Sequence, residues 1–234
     1  MKSMSKRQKE NQSQFEGDKL YTPHDAFESI KRLTSCKFDE TVEVHFNLGI
    51  DPRHADQQLR GTLSLPHGNG KTIRLAVITS EDKIKEAKDA GADIVGCEDL
   101  IEKIQKGWLE FDLLIATPDV MSKVGKLGRI LGAKGLMPNP KSGTVTSQLT
   151  KSINEFKSGK VEYRNDKGGL VHLGIGKFSF TKEALVENFI SIYEVICKDK
   201  PNKSKGIYLK SISVSTTMGP GFNIETQRAK WKED

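Results

Sequence analysis

The strand pattern of this chain changes at Leu65-Pro66-His67-Gly68-Asn69-Gly70. Before this turn, residues 41–48 alternate apolar and polar side chains, which is typical of a strand with one buried face and one exposed face. A second strand of this kind is predicted over residues 57–65, with its leucines on one side. Beyond the turn the strand patterns are apolar throughout, which indicates strands that are buried on both faces. The turn therefore separates two kinds of sheet.

The apolar strands are predicted over residues 73–79, 93–96 and 113–117, and helical patterns over residues 81–90 and 98–106 separate them. Strands that alternate with helices in this way are typical of a parallel α/β unit with right-handed crossovers. A further helix over residues 147–157 closes the unit. Residues 67–160 are therefore predicted to form a three-layer, Rossmann-like α/β domain.

The alternating pattern returns after residue 160, and it matches the pattern of the first part of the chain. The first part also predicts a helix, for which Thr22 is the N-cap and Pro23 lies in the first turn. A helix over residues 181–198 and a final strand over residues 208–215 complete the later part. Residues 1–66 and 161–234 are thus predicted to form one two-layer α+β domain. The fold class is a split α+β domain with an inserted α/β domain.

The composition restricts the kinds of partner. The 234 residues carry a formal net charge of +6, and this basic excess favours polyanions without proving them. Cys36, Cys97 and Cys197 form no C-x-x-C pair, and the histidines show no metal-binding spacing, so neither a metal nor a cofactor is predicted. No apolar run approaches the roughly 20 residues that span a bilayer, so no membrane partner is predicted either.

The glycine-rich segment Gly68–Thr72 ends in glycine, lysine and threonine, as a phosphate-binding P-loop does. The full P-loop pattern needs a glycine where this chain has Leu65, and it needs a helix where a strand is predicted. No predicted strand is followed by the G-x-G-x-x-G pattern of a dinucleotide site. A nucleotide-using enzyme is therefore the weaker alternative, and no small-molecule substrate is predicted.

The strongest candidate site lies near the end of the chain, where residues 215–221 read Ser-Thr-Thr-Met-Gly-Pro-Gly. This segment has no acid, base or thiol, but its small hydroxyls, glycines and accessible backbone suit hydrogen bonding to a polar, charged surface. We therefore predict an RNA-contacting loop. Phe38 lies near Lys37 and Thr41, just before the first strand. Its side chain either stacks on a nucleotide or packs as an ordinary core residue, and the sequence leaves both alternatives open.

Other basic residues extend this prediction. Lys167 lies in a turn over residues 165–169, and Lys177 is predicted to share a strand face with Ser179. A second set of basic residues consists of Lys123, Lys126, Arg129 and Lys134. The first three recur at every third position on a predicted helix, and the last lies in the glycine-rich turn that follows. Such a set is suited to phosphate contacts. A solvated helix face is the alternative explanation for it.

A series of ordered motifs gives the sequence a wider resemblance. They are KFDETVE (37–43), GIDPR (49–53), LPHG (65–68), GKT (70–72), AGAD (90–93), FDLLIATPD (111–119), GKLGRILG (125–132), GLMPNPK (135–141) and TTMGP (216–220). With these motifs the chain resembles the L-one family of large-subunit ribosomal proteins, which forms the mobile side stalk beside the tRNA exit site. The resemblance covers nearly the whole chain.

The resemblance implies a split RNA-binding domain whose ligand is a stalk segment of large-subunit rRNA. It also implies exit-site tRNA and the protein's own mRNA as further partners, the latter through translational repression. RNA contacts are implied at Lys37, Phe38, Thr41, Ser211, Thr217, Met218 and Gly219, with Lys167, His172, Lys177 and Ser179 as neighbours. In this picture Thr217 bonds to ribose or phosphate, Met218 and Phe38 pack against sugar and base, and Gly219 lets the backbone approach closely.

The resemblance also bears on where the protein works. Residues 56–60, 153–157 and 169–172 look most like cyanobacterial and plastid members, so a ribosome of the plastid stroma is favoured over one of the bacterial cytoplasm. The common bacterial pattern has proline and arginine where this chain has Ala133 and Lys134. The rival within RNA binding is a repressor that acts away from the ribosome.

Overall fold

The structure is a computed structural model that describes residues 5–13, 19–33, 36–202, 204 and 206–231. The chain divides into two compact units. The first unit takes Met1–Gly70 and Tyr163–Asp234, and the second takes Lys71–Glu162. The predicted fold class, a split α+β part with an α/β part between its halves, is confirmed.

The secondary structure runs as follows along the chain. The α-helices are α1 (Lys6–Ser13), α2 (Pro23–Arg32), α3 (Ile84–Asp89), α4 (Glu98–Gln105), α5 (Met121–Val124), α6 (Gly128–Lys134), α7 (Leu149–Lys157) and α8 (Lys182–Lys198). The strands are β1 (Leu20–Tyr21), β2 (Thr41–Leu48), β3 (Arg60–Ser64), β4 (Leu75–Ile78), β5 (Ile94–Gly96), β6 (Leu113–Ala116), β7 (Lys160–Arg164), β8 (Leu170–Lys177), β9 (Leu209–Thr216) and β10 (Gly221–Ile224). Short 3₁₀ turns lie at Ala55–Gln57, Glu81–Lys83, Pro118–Val120, Gly125–Leu127, Pro140–Ser142 and Arg228–Lys230.

The first unit is built on a five-stranded sheet in the order β1-β10-β9-β2-β8. Strand β2 is antiparallel to both of its neighbours, β8 and β9. One face of the sheet is apolar and packs against α2 and α8, with the Phe189 ring 5.9 Å from that of Phe27 and 6.3 Å from that of Phe46. Strands β3 and β7 form a separate two-stranded sheet.

The two long helices of this unit begin at threonine caps. The Thr22 hydroxyl accepts the N–H of Asp25, and the Thr181 hydroxyl accepts the N–H of Ala184. Such a cap satisfies one of the backbone donors that the first turn of a helix leaves without a partner. The predicted N-cap at Thr22 is confirmed.

The second unit has a parallel sheet in the order β5-β4-β6, and each face of the sheet carries its own core. Ala76 and Ile78 of β4 face α4 and the helical segments after residue 118, whereas Leu75 and Val77 face α3 and α7. Because side chains alternate along a strand, a strand that is apolar at every position supplies both cores. The predicted three-layer arrangement is confirmed.

Several boundaries differ from the prediction. The strand predicted over residues 57–65 is only Arg60–Ser64, because Gln57 belongs to a turn in which its side chain accepts the Asp51 N–H. The strand predicted to be the last is followed by β10, which returns antiparallel to β9. The two-residue strand β1, which pairs with β10, was not predicted either. Short strands of this kind carry too few residues for a period to be recognised.

The turn at residues 65–70 is held by a fully buried amide. The Asn188 side chain on α8 accepts the His67 N–H and donates to the carbonyls of Gly68 and Ile175 at 2.9 and 2.7 Å. Gly68 and Gly70 both have positive φ, a conformation that glycine adopts without strain. The turn at which the strand pattern changes is thus tied to α8 and to the edge strand β8.

In the described part of the chain, no helix is long and apolar enough to cross a membrane. The same residues hold no cluster of three or more acidic, histidine or cysteine side chains suited to a metal ion.

Replacing Asn188 by alanine is expected to lower the free energy of unfolding by about 2–4 kcal/mol, because the buried Ile175 carbonyl and the partly buried His67 N–H and Gly68 carbonyl lose their partner. Urea unfolding followed by circular dichroism measures this change. Ser191→Ala on the same helix is the control, since its hydroxyl donates to the Glu187 carbonyl one turn earlier in the same helix. Equal effects of the two substitutions would contradict the role given to Asn188.

Candidate nucleic-acid interface

The main candidate site lies at one end of the five-stranded sheet. Thr41, the first residue of β2, pairs with Lys177 at the end of β8, and Val42 pairs with Thr216 at the end of β9. This register brings three distant segments of the sequence side by side. We call the result the end patch, which consists of Lys37, Phe38, Thr41, Lys177, Ser179, Thr217, Met218 and Gly219.

A threonine clamp joins two of these segments. The Thr217 hydroxyl accepts the Thr41 N–H at 3.0 Å and lies 3.3 Å from the Thr41 carbonyl, to which it donates. The Thr217 N–H donates to the same carbonyl at 3.1 Å. A hydroxyl has one donor and two acceptor positions, so only one acceptor position of Thr217 is left for a ligand. The main role of Thr217 is therefore to hold the terminal loop against β2 through hydrogen bonds.

The third segment is fastened in the same manner. The Lys177 ammonium donates to the Thr41 hydroxyl at 3.0 Å, so this lysine is aimed into the end patch. Asp39 accepts both the N–H and the hydroxyl of Ser179, at 3.0 and 2.8 Å. The prediction that Ser179 shares a strand face with Lys177 is wrong, because β8 ends at Lys177 and residues 178–180 turn toward Asp39.

Two large apolar side chains of the end patch face solvent. Phe38 is 53% exposed and Met218 is 51% exposed, and Lys37, which precedes Phe38 in the chain, is exposed as well. An ordinary core residue would be buried, so Phe38 is not a core anchor. Exposed aromatic and thioether groups next to a lysine form a surface on which a sugar or base can pack.

A buried carboxylate supports the end patch from beneath, and the sequence did not single it out. Glu40 is 2% exposed, and its oxygens accept the N–H groups of Cys36 at 3.0 Å and Met218 at 2.9 Å. The Arg7 guanidinium lies 3.8 Å away. Burial alone would raise the pKa of the Glu40 carboxyl, but these N–H donors together with hydrogen bonds from the Thr216 and Cys36 side chains outweigh burial and hold the pKa below its usual value.

Gly219 fits a narrow space in the loop. A Cβ at this position would lie 2.4 Å from the Thr216 hydroxyl oxygen and 3.4 Å from a methyl of Leu33. Thr216 is itself nearly buried. Glycine is therefore required here by contacts within the protein, apart from any approach of a ligand.

The remaining predicted residues of this unit lie away from the end patch. Ser211 faces Asn47, and it precedes Thr217 by about 20 Å of extended strand. Lys167 is exposed in the turn before β8, in which the Asp166 carboxylate accepts the N–H groups of Gly168 and Leu170. These two residues mark the opposite end of the same sheet.

His172 lies midway, opposite His45 of β2, with the two Nδ1 atoms 2.9 Å apart. At this separation one Nδ1 carries a hydrogen and donates a hydrogen bond to the other, which accepts it. Burial, and then the neighbouring His172, lower the pKa of His45. We define the open face as the half-exposed polar side of the sheet; it comprises Glu43, His45, Asn47, His172, Ser211, Ser213 and Ser215. Most of these residues were missed, although the polar positions of the strand alternation would have found them.

The second basic set belongs to the other unit. The helix predicted for it is broken into α5, a 3₁₀ turn and α6, where Gly125 and Gly128 weaken a continuous helix. Lys123, Lys126, Arg129 and Lys134 are all exposed. Lys123 is paired with Glu98 of α4, and that hydrogen bond raises the pKa of Lys123.

Comparison with known proteins decides the family. The model of the ribosomal protein L1p/L10e family matches residues 28–220. This chain belongs to that family. The resemblance inferred from the motifs is confirmed, and membership in a family of ribosomal proteins agrees with the prediction that the chain is not an enzyme.

Curated relatives support the same assignment. Three proteins named large ribosomal subunit protein uL1, from the MIT 9215, MIT 9312 and MIT 9301 strains of Prochlorococcus marinus, are 56%, 55% and 54% identical to this chain. Each match spans 225 residues, which is 96% of this chain and 95% of the relative.

Replacing Glu40 by glutamine is expected to lower the free energy of unfolding at neutral pH by about 1–3 kcal/mol, because two N–H donors lose a charged acceptor. A carboxyl with a lowered pKa contributes fully above the unfolded-state value and loses this contribution as the pH falls through the folded-state value. The difference between wild type and variant should therefore shrink as the pH falls below about 4.5, the ordinary pKa of a glutamate. Urea unfolding across pH measures it, with the half-exposed Glu43→Gln as control; a constant difference would contradict the assignment.

Replacing Gly219 by alanine is expected to destabilise the protein by about 1–3 kcal/mol, because the added methyl collides with Thr216. The matched control is Gly221→Ala in the same hairpin, where a Cβ meets nothing within 4 Å. Thermal unfolding of both variants provides the measurement. A Gly219 variant as stable as the Gly221 variant would show that the loop can give way at no cost.

Proposed function

We propose that this protein, a constituent of the large ribosomal subunit, binds a folded stalk segment of large-subunit rRNA through the end patch and the open face. The observation that carries the proposal is the pair of exposed side chains Phe38 and Met218, placed on two fastened segments beside Lys37. Exposed side chains do not contribute to the hydrophobic core of the protein, whereas the sugars and bases of RNA can pack against such groups.

The fastening explains how such a site would recognise shape. Thr217, Lys177 and Asp39 are all engaged in contacts between segments, so the surface is held in place before RNA arrives. A preorganised surface loses less conformational entropy on binding. Its contacts would go to backbone, ribose and exposed base edges, which favours a defined RNA fold over a particular sequence.

The open face extends the proposed site along the sheet. Its hydroxyl, amide and imidazole groups can donate to and accept from ribose 2′-hydroxyls without adding net positive charge. Ser211, His172 and Lys167 would bind at the far end of this surface. The proposed RNA site therefore belongs to the composite domain of residues 1–66 and 161–234.

The inserted domain, residues 67–160, is assigned a secondary role. Lys126, Arg129 and Lys134 are exposed and suited to the phosphates of exit-site tRNA, and Lys123 would contribute after exchanging its Glu98 partner. Assistance in tRNA movement and repression of the protein's own mRNA remain part of the proposal. The plastid stroma, favoured by the sequence over the bacterial cytoplasm, stays a prediction; the relatives compared are cyanobacterial.

Binding of the purified protein to a stalk-rRNA fragment and to a plain RNA duplex of equal length, over a salt series, tests the proposal. We expect a preference for the stalk that persists at physiological salt. Equal binding that collapses with salt would indicate charge attraction alone and would overturn the proposal.

The variants Phe38→Ala and Met218→Ala are each expected to weaken stalk binding by about 1–3 kcal/mol with little change in stability, since both side chains are exposed. Ile207→Ala is the matched control, because Ile207 is an even more exposed apolar residue of the same unit at the other end of the sheet. Filter binding or fluorescence anisotropy measures the affinity. Wild-type affinity in both variants would place the RNA site elsewhere.

A further inference from the structure

The amino-terminal helix α1 lies against the end patch. The Arg7 Nη2 atom is 3.4 Å from the Met218 carbonyl, to which it donates, and the Nη1 atom is 3.8 Å from a carboxylate oxygen of Glu40. Glu40 also accepts the Met218 N–H. One buried carboxylate therefore holds both the terminal loop and α1, and α1 is fixed beside the exposed Met218 side chain.

The two sides of α1 differ in character. Asn11, one turn after Arg7, is 3% exposed, so this side of the helix is turned toward the protein. Lys6 and Lys9 are exposed and lie three residues apart, which places them together on the other side. A lysine pair with this spacing, anchored beside a binding surface, is suited to phosphates of the same ligand.

We propose that α1 is a further RNA-contacting arm, in which Arg7 docks the helix on the end patch and Lys6 and Lys9 bind backbone phosphates. The family match begins at residue 28, so α1 lies outside the part of the chain that the family model covers. The inference rests on the proposed function, since it assigns additional contacts to the same RNA.

The chemistry of these contacts predicts how they respond to salt. Each phosphate neutralised by a lysine releases condensed counterions, and the slope of log K against log salt changes by about 0.7–0.9 per contact. Loss of two contacts should therefore reduce the slope by about 1.4–1.8. The contacts go to the backbone, so they should add affinity without adding a preference for one RNA sequence.

The experiment compares two double variants of the full chain. Lys6→Gln with Lys9→Gln removes the proposed contacts. Lys85→Gln with Lys88→Gln removes the same charge from two exposed lysines at the same spacing on α3, in the other unit. Binding to the labelled stalk fragment and to the duplex is measured between about 50 and 200 mM salt.

We expect the Lys6/Lys9 variant to bind the stalk about tenfold more weakly than the Lys85/Lys88 variant at the low-salt end, with the smaller slope given above. Arg7→Ala should reproduce the smaller slope, because the undocked helix no longer holds its lysines near the RNA. Slopes and affinities that agree between the two double variants would overturn the proposal.

The two proposals fail in different ways. Equal binding of stalk and duplex by the wild-type protein would overturn the proposed function. The comparison of the two double variants still decides whether α1 contacts RNA, because phosphates are present in either ligand. A fall in affinity for Arg7→Ala with unchanged slopes in both double variants would mean that α1 only braces the loop, which also overturns the arm.

Discussion

The central strand β2 is bonded on one side to β8 and on the other to β9, and this double pairing organises the whole first unit. It joins a segment from the first quarter of the chain to two segments from its last third. A one-residue slip in this register would turn the apolar residues Val42, Val44 and Phe46 from the helix-covered face to the open face. The hydrophobic pattern therefore fixes the register, and the register in turn places Thr41 beside Lys177 and Thr216.

The end patch depends on that register and on a small number of further hydrogen bonds. Glu40 lies just before β2, is buried, and receives the N–H of Met218 from the loop after β9. A buried carboxylate is costly unless it is hydrogen-bonded, and the donors that satisfy it come from segments far apart in the sequence. The same group thus stabilises the fold and sets the position of the exposed loop for which RNA contacts are proposed.

The two sheets differ in how much of their surface is exposed to solvent. The five-stranded sheet leaves one polar side half-exposed, and this open face continues the candidate interface. The three-stranded parallel sheet is covered on both sides and exposes only its surrounding helices and loops. The polyanion contacts proposed for the inserted unit therefore lie on its helices and loops, as Arg129 does, whereas the first unit also offers a sheet surface.

Much was determined by the sequence alone. Period-2 alternation in residues 41–48 and the uniformly apolar strands after residue 70 depend only on local order, so they predicted the two sheets, and family motifs such as TTMGP predicted the loop. The roles of Glu40, Arg7 and His45, the turn of Ser179 toward Asp39 and the short strands β1 and β10 were decided by the tertiary structure. Each depends on a partner that is remote in the sequence, and the free energy of such a contact exists only once the sheet has brought the two partners together.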